Sequence, residues 1–521
     1  NDDYSGALCE FPVKTWEAAM EIRDQAIIDA TAARAEATDL TPEQLDSKYP
    51  YPEIIYICGT VKVENEESGI ETWDLSDVEV EVAGEKMTVK TEVVSHTNIP
   101  NVEDTTVQLH DLPTPLISVE TGKKLTLRDV TIRNITDVID SDTIQVIGGG
   151  ELTLTGNTTL TGERFADGTI TSKPTTYGRH VNISGGSTFL MNEEWKGSIE
   201  KRQQGVVAKG QGTNVSMYNG SIKENVSFDE ALYKENLTTQ LNGAGVILSG
   251  GASFIMNGGA ITKNSVYQYG AGVYMGDTTD QGTTFIMKKG TISHNRIAED
   301  RPSISSGSYL LGQGAGIYAK YGKLHLGDEY SQERVSISEN KSYYVYGAGI
   351  FAKECELKIN NADICNNESV SSYNKYSNYN RGIGIYIENE KSSSLFSMNN
   401  VNVSGNKAPP TNEGGTYGAG IYFSNYRNKS SVATITNCKI SDNMSGGEYG
   451  STYPTRGGGI YQWGDLIIEG TEISGNRALE GGGIYLEGTN AYTSTLTLSG
   501  NSTVKSNTAQ GYAFSAIGDG G

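Results

Sequence analysis

A two-part phrase recurs from about residue 215 to the end of this 521-residue chain, and it leaves few folds open. Its first part, G-x-G-[I/V]-[Y/F/I], begins at Gly243, Gly270, Gly314, Gly347, Gly382, Gly418, Gly457 and Gly481. Its second part, [I/V]-x-x-N, ends at Asn225, Asn264, Asn295, Asn340, Asn367, Asn406, Asn443, Asn476 and Asn507. Between the two lies a short alternating run such as Thr284, Phe285, Ile286, Met287. Successive first parts start between 24 and 44 residues apart, a spread that insertions in loops explain and a helical-pair repeat of fixed length does not.

A strand of four to six residues with period-two alternation cannot bury its apolar face alone, so such units must stack on one another. The segments are rich in Gly, Thr, Ser and Asn, which disfavour helix interiors. Asn at the same corner of every turn, stacked at about 4.8 Å, can hydrogen-bond to its neighbours and to the corner backbone, satisfying polar groups that burial would otherwise strand. Glycine, 63 residues in all, fits the opposite corner, where positive φ or close backbone approach is needed. The reading is an all-β fold, a parallel β-helix of three-strand turns, right-handed by the general rule for parallel crossovers.

The chain divides into 1–52, a helical cap; 53–214, less regular turns; and 215–521, regular turns with long loops on one side. Thr15 is the expected N-cap of a helix opening at Trp16, and Thr41-Pro42 opens a second. Strands are expected at 53–63, 78–94, 124–134 and 143–155. A solenoid end exposes apolar core and strand edges, so a capping helix is physically expected there. No run approaches the ~18 apolar residues of a membrane-spanning helix. The start at Asn1, without Met or a leader, fits a mature or trimmed secreted product. Five cysteines, Cys9, Cys58, Cys355, Cys365 and Cys438, form no CxxC pair and read as small hydrophobes, or as one bridge at the N-terminus.

The G-x-G-I-Y and I-S-x-N phrases, as at Gly481 to Tyr485 and Ile473 to Asn476, resemble those of bacterial surface proteins of the pectate-lyase-like β-helix superfamily, including polymorphic outer-membrane-type repeats. The resemblance covers about 300 residues and bears on fold. On activity it is nearly silent, since the superfamily holds polysaccharide lyases, glycoside hydrolases, lacto-N-biosidase-like enzymes of gut bacteria and non-enzymatic adhesins. It implies a bacterial protein that is secreted or attached to the cell surface.

Loops leaving the Asn corner vary most and carry 14 of the 30 tyrosines, far more than their share of the chain. Tyrosine offers a flat apolar face to a sugar ring and a hydroxyl to its rim. The densest groups are Tyr343, Tyr344 and Tyr346, then Tyr373, Tyr376 and Tyr379 in the next loop, with Arg381 beside them; together they are expected to form an aromatic wall, the alternative being that the rings simply pack loop on loop. Glycoside hydrolysis needs two carboxylates, about 5–5.5 Å apart for retention and about 6.5–9.5 Å for inversion. Equivalent positions on stacked turns are spaced suitably, which makes Glu339 and Glu368 the candidate pair, with Asp363 nearby and His294 on one flank. The bland alternative is a solvated column of charge. Asp277 and Asp280 read as an Asx turn or a weak structural calcium site, and no other cofactor is expected. Lys439 and Glu472 read as an inter-turn ion pair.

The balance of 41 Lys+Arg against 63 Asp+Glu gives a net charge of −22, which opposes nucleic acid and polyuronate binding alike. Polygalacturonase-type and calcium pectate-lyase-type motifs are missing, as are P-loop, GxSxG, HExxH and EF-hand signatures. Two readings follow. One is an extracellular glycoside hydrolase acting on neutral oligosaccharides in a Tyr-lined cleft. The other is a non-catalytic adhesin binding neutral glycan or host surface glycoprotein. Either is read as a monomer.

Overall fold

The computed structural model describes residues 15–57, 59–65, 69–95, 115–134, 141–162, 178–227, 242–277, 279, 281–297, 312–343, 345–371, 380–389, 395–408, 415–427, 433–446 and 454–511. Over these it is a parallel β-helix. Thirteen strands, from Val61–Lys62 to Ile484–Glu487, stack in parallel register as the first face. The second and third faces join into one 25-stranded set because two strands, Glu356–Cys365 and Phe396–Ser404, run around the bend between them without a break.

Register explains the core. On the second face Phe254 pairs with Phe285, Phe285 with Leu324, and Leu324 with Leu357; on the third, Ile261 pairs with Ile292 and Ile337 with Ile364. All are 0% exposed. Each fully buried Leu, Ile or Phe side chain is worth about 1.5–3 kcal/mol, and a coil gains it only when neighbours above and below cover it.

The asparagines stack as the repeat predicts. At each rung the Nδ2 donates to the next rung's Oδ1 and to a carbonyl of the preceding coil, while the backbone N–H donates to that same Oδ1. For Asn367 these bonds are 2.9 Å to Asn406, 3.0 Å to the Ile337 carbonyl and 3.1 Å from its backbone N–H. The pattern runs unbroken from Asn225 to Asn507. The residue before each Asn is left-handed, with φ of +56° at His294 and +57° at Glu339. The ladder holds even non-glycine residues in that otherwise unfavourable region.

The placement of glycine differs from the sequence expectation. The G-x-G arm lies against the Asn ladder rather than at the opposite corner. Gly347 has φ +65°, and a Cβ on Gly349 would stand 2.5 Å from the Gly384 carbonyl and 2.9 Å from Asn367 Nδ2. Only a bare Cα lets the amide column pack against the first face.

Before Asn225 the ladder has a different first rung. Arg202 occupies the corner, its N–H donating 3.3 Å to Asn225 Oδ1. Its buried guanidinium donates to the Asn134 and Ser141 carbonyls at 3.1 and 3.2 Å and to the Ser141 hydroxyl. Beside it His180, also fully buried, contacts the Glu200 carbonyl through Nε2 at 2.7 Å and Thr143 Oγ1 through Nδ1 at 3.3 Å, the pattern of a neutral ring carrying its proton on Nε2. Burial, then the Arg202 charge, push the imidazole down to about 3.

Helix α1 (Trp16–Glu36) and helix α2 (Pro42–Lys48) precede the rod. Thr15 caps α1 by accepting from the Ala18 N–H at 3.2 Å, and Thr41 with Gln44 forms a capping box on α2. Trp16 stacks on buried Trp73 with centroids 4.2 Å apart, so α1 covers apolar core at this end. The strand expected across 78–94 is instead a hairpin, Val78–Val82 against Glu85–Val89, followed by Glu92–Ser95. Ala83 and Gly84, both at positive φ, supply the two-residue turn. At the other end Leu486, Leu498 and Val504, in register with buried residues, are 41–47% exposed. Among the described residues no helix is long and apolar enough to cross a membrane.

Candidate functional site

The insertions leave and re-enter at the Asn corner. Just after each Asn, segments of two to four residues from Val226–Ser227 to Thr508–Ala509 form a nine-stranded ladder; just before G-x-G, five more segments stack from Gly312–Gln313 to Thr455–Arg456. The long insertions lie between these two ladders, so their roots are stacked on one flank. Tyr344, Tyr373, Tyr376 and Tyr379 fall outside the described residues, as does Asp280.

The described aromatics of this flank are mostly buried. The aromatic of G-x-G-I-Y forms a continuous stack through Tyr274, Tyr318, Phe351, Tyr386, Tyr422, Tyr461 and Tyr485, with centroids 4.9–5.5 Å apart. A second column, made by the residue immediately before five of the eight G-x-G phrases, leans on it from outside. Tyr269 stacks on Tyr318, Tyr346 on Tyr386 and Tyr417 on Tyr461, each at 5.0 Å. Arg381 lies over Tyr346 and Tyr422 at 5.1 and 5.3 Å, and Arg456 over Tyr417 and Tyr485 at 5.7 and 4.9 Å. Rings and guanidinium planes thus alternate, each pair worth about 0.5–2 kcal/mol. Burial raises the hydroxyls of Tyr318, Tyr386 and Tyr461 above the ordinary tyrosine value. Tyr343 is 9% exposed. The sequence carried the signal for this double stack, an aromatic or Arg at a fixed offset on either side of the glycines.

The candidate carboxylates each have their own stacked partner. Glu339 Oε2 lies 2.9 Å from His294 Nε2 of the preceding rung, both side chains half-exposed at the left-handed corner. Glu368 sits in register between Lys341 and Lys407, with N···O distances of 3.0 and 3.7 Å. Asp363 is on the third face, 3.0 Å from Arg334 Nε, and accepts from Asn402 Nδ2 at 2.7 Å. The three therefore stand in separate columns, each beside its own basic side chain.

Asp277 accepts from the Gly250 N–H at 2.9 Å and from the Thr283 hydroxyl at 2.6 Å, the role of a turn acceptor. Among the described residues no three His, Cys, Asp or Glu side chains converge as a metal site. Glu472 is in register with Lys439, and its ion pair runs to Lys505 at 2.7 Å. Cys355 and Cys438 are buried and Cys365 is partly buried; Cys9 and Cys58 lie outside the described residues. No family model, curated protein or solved structure matches the chain.

Proposed function

We propose that the chain is a non-catalytic recognition module of a bacterial cell surface, of the pectate-lyase-like β-helix kind, whose insertions engage neutral glycan or glycoprotein. The observation that carries this reading is the commitment of Glu339, Glu368 and Asp363 to different basic partners in separate columns. A glycosidase needs one carboxyl held protonated opposite an ionised partner across the scissile bond. Glu368 and Asp363 are instead ion-paired with Lys and Arg, and Glu339 lies beside His294, each in its own column. A second support for the recognition reading is that two stacked ladders fix the roots from which the insertions leave on one flank.

The test is a glycan array run beside a turnover screen of neutral aryl-glycosides and milk or mucin oligosaccharides. Retention without turnover is expected, and it is expected to fall when residues 372–379 are replaced by a Gly-Ser linker. Turnover that disappears in Glu339→Gln or Glu368→Gln would return the protein to the hydrolases.

A further inference from the structure

A second feature of the rod is a notch at the bend between the second and third faces, away from the insertion flank. Three successive coils cross this bend with three-residue turns, 218–220, 257–259 and 288–290. The coils on either side cross it with longer loops, 192–197 and 327–334. The result is a notch of about 630 Å³, within the usual range for ligand sites. Its two wall-bearing coils are four rungs apart, about 19 Å of strand spacing.

Both walls are anchored from outside the notch. In the first, buried Trp195 donates Nε1 to the Thr158 carbonyl at 2.7 Å, and Lys196 N–H donates to the Gly156 carbonyl at 2.7 Å. In the second, Arg334 donates to the Ala362 and Asn400 carbonyls at 2.6 and 3.0 Å, and Asn361 Nδ2 donates to the Ser331 carbonyl at 3.0 Å. The floor is equally fixed, with the Asn257 and Lys288 N–H groups each donating 2.7 Å to the coil before. The site is therefore preformed, and binding need not order it.

The chemistry of the lining selects the ligand. Tyr218 is 39% exposed on the floor and offers a ring as a platform. Asn219 and Asn257 supply amides, Glu193 and Asp328 acceptors at opposite ends, and Lys288 a donor. Lys289 and Glu333 pair at 3.1 Å, so the lining carries nearly balanced charge. A polyanion is disfavoured by the net charge of −22. An extended peptide would seek an unpaired strand edge, and the floor's backbone is already paired between coils. A flat ring ringed by amides and carboxylates suits a chain of hydroxyls with apolar C–H faces.

We infer that this notch binds a short, linear, neutral oligosaccharide lying along the rod axis, with Tyr218 stacked against one sugar. The walls stand too far apart for Glu193 and Asp328 to act as a hydrolytic pair, so the site holds its ligand without cleaving it. The inference is independent of the insertions.

The test is calorimetric titration of the full chain with linear neutral tetra- to hexasaccharides of glucose, mannose, xylose, galactose and N-acetylglucosamine. A hydrogen-exchange footprint is taken with the tightest. Binding should protect 218–220, 257–259 and 288–290, weaken about tenfold or more in Tyr218→Ala, and survive in Tyr218→Phe. Glu193→Gln combined with Lys288→Gln should weaken it as well, with thermal midpoints of all variants matching the parent. Replacing 372–379 by a linker should leave it unchanged, which separates this site from the insertion flank. Absence of binding by any member, undiminished binding in both Tyr218→Ala and the double variant, or a footprint confined to the Asn-corner flank would overturn the inference.

Discussion

Asn367→Ala is the substitution that most directly probes what holds the rod together. Asn367 is 0% exposed, and its side chain takes part in four hydrogen bonds. It accepts from the Asn340 N–H at 3.1 Å and Nδ2 at 3.0 Å, and it donates to Asn406 Oδ1 and the Ile337 carbonyl. Alanine leaves the Asn340 N–H and one Asn340 amide hydrogen unpaired inside the corner, while the Ile337 carbonyl stays in the strand ladder. Asn406 Oδ1 keeps the Asn367 backbone N–H. At about 1–3 kcal/mol for each of these two buried orphans, with water recovering part, the loss should be roughly 2–5 kcal/mol. Because coils couple to nearest neighbours, the damage should centre there and tend to split the rod into two cooperative blocks. Urea unfolding reads the magnitude, and hydrogen exchange reads the location, in peptides covering 335–371 against those covering 120–160. Asn367→Asp sharpens the test: a carboxylate still accepts but faces Asn406 Oδ1 and the Ile337 carbonyl, so its folded pKa should rise and its deficit should shrink as the pH falls. A loss below about 1 kcal/mol, equal to that of outward-facing Thr434→Ala, would refute the claim that amide stacking sustains the corner.

Three further outcomes are expected. Between pH 7 and pH 5 the buried His180, its folded pKa lying below its unfolded one, should cost about 2 kcal/mol of stability, present above pH 6.5 and lost as the unfolded chain takes up the proton first; His180→Gln should remove that part of the slope in denaturant midpoints. Tyr386→Ala should cost about 3–5 kcal/mol, whereas Tyr386→Phe should cost under about 1, since Phe351 already fills the same column one coil earlier; thermal unfolding of the pair decides it. Trp16→Ala should raise hydrogen exchange in 71–95 while leaving 335–510 unchanged, because its ring covers Trp73 at one end of a nearest-neighbour stack.

The coil repeat was legible because it is written in residue types with one physical use each. Asn at the ladder, glycine at the close approach and alternating apolar residues in the strands, in that order, suit a stacked coil and little else. The corner assignment of G-x-G was not legible, since sequence places Gly349 and Asn367 on one coil without saying that the coil closes by bringing them together. Glu339 and Glu368 look like a pair for a related reason. The repeat does put them on adjacent coils, but the αL turn at 339 and the strand register at 368 send them into different columns. Tyr346 and Arg381 stand out by their chemistry, yet it is their fixed offset from the glycines that marks them as a packed column. The notch left no motif, because its walls are differences in turn length between coils rather than a recurring residue.

The direction of the inter-coil hydrogen bonds sets how the rod answers force. They run along its long axis, coil to coil, so tension applied across the two chain ends falls on one outermost coil at a time, which peels away before its neighbour is strained. A tether seized through an insertion rooted mid-stack loads the coils above and below together, and the interlocked rings of Tyr386 and Tyr422 with Arg381 spread that pull further. The same polymer is weak when drawn from its tips and strong when grasped by its side.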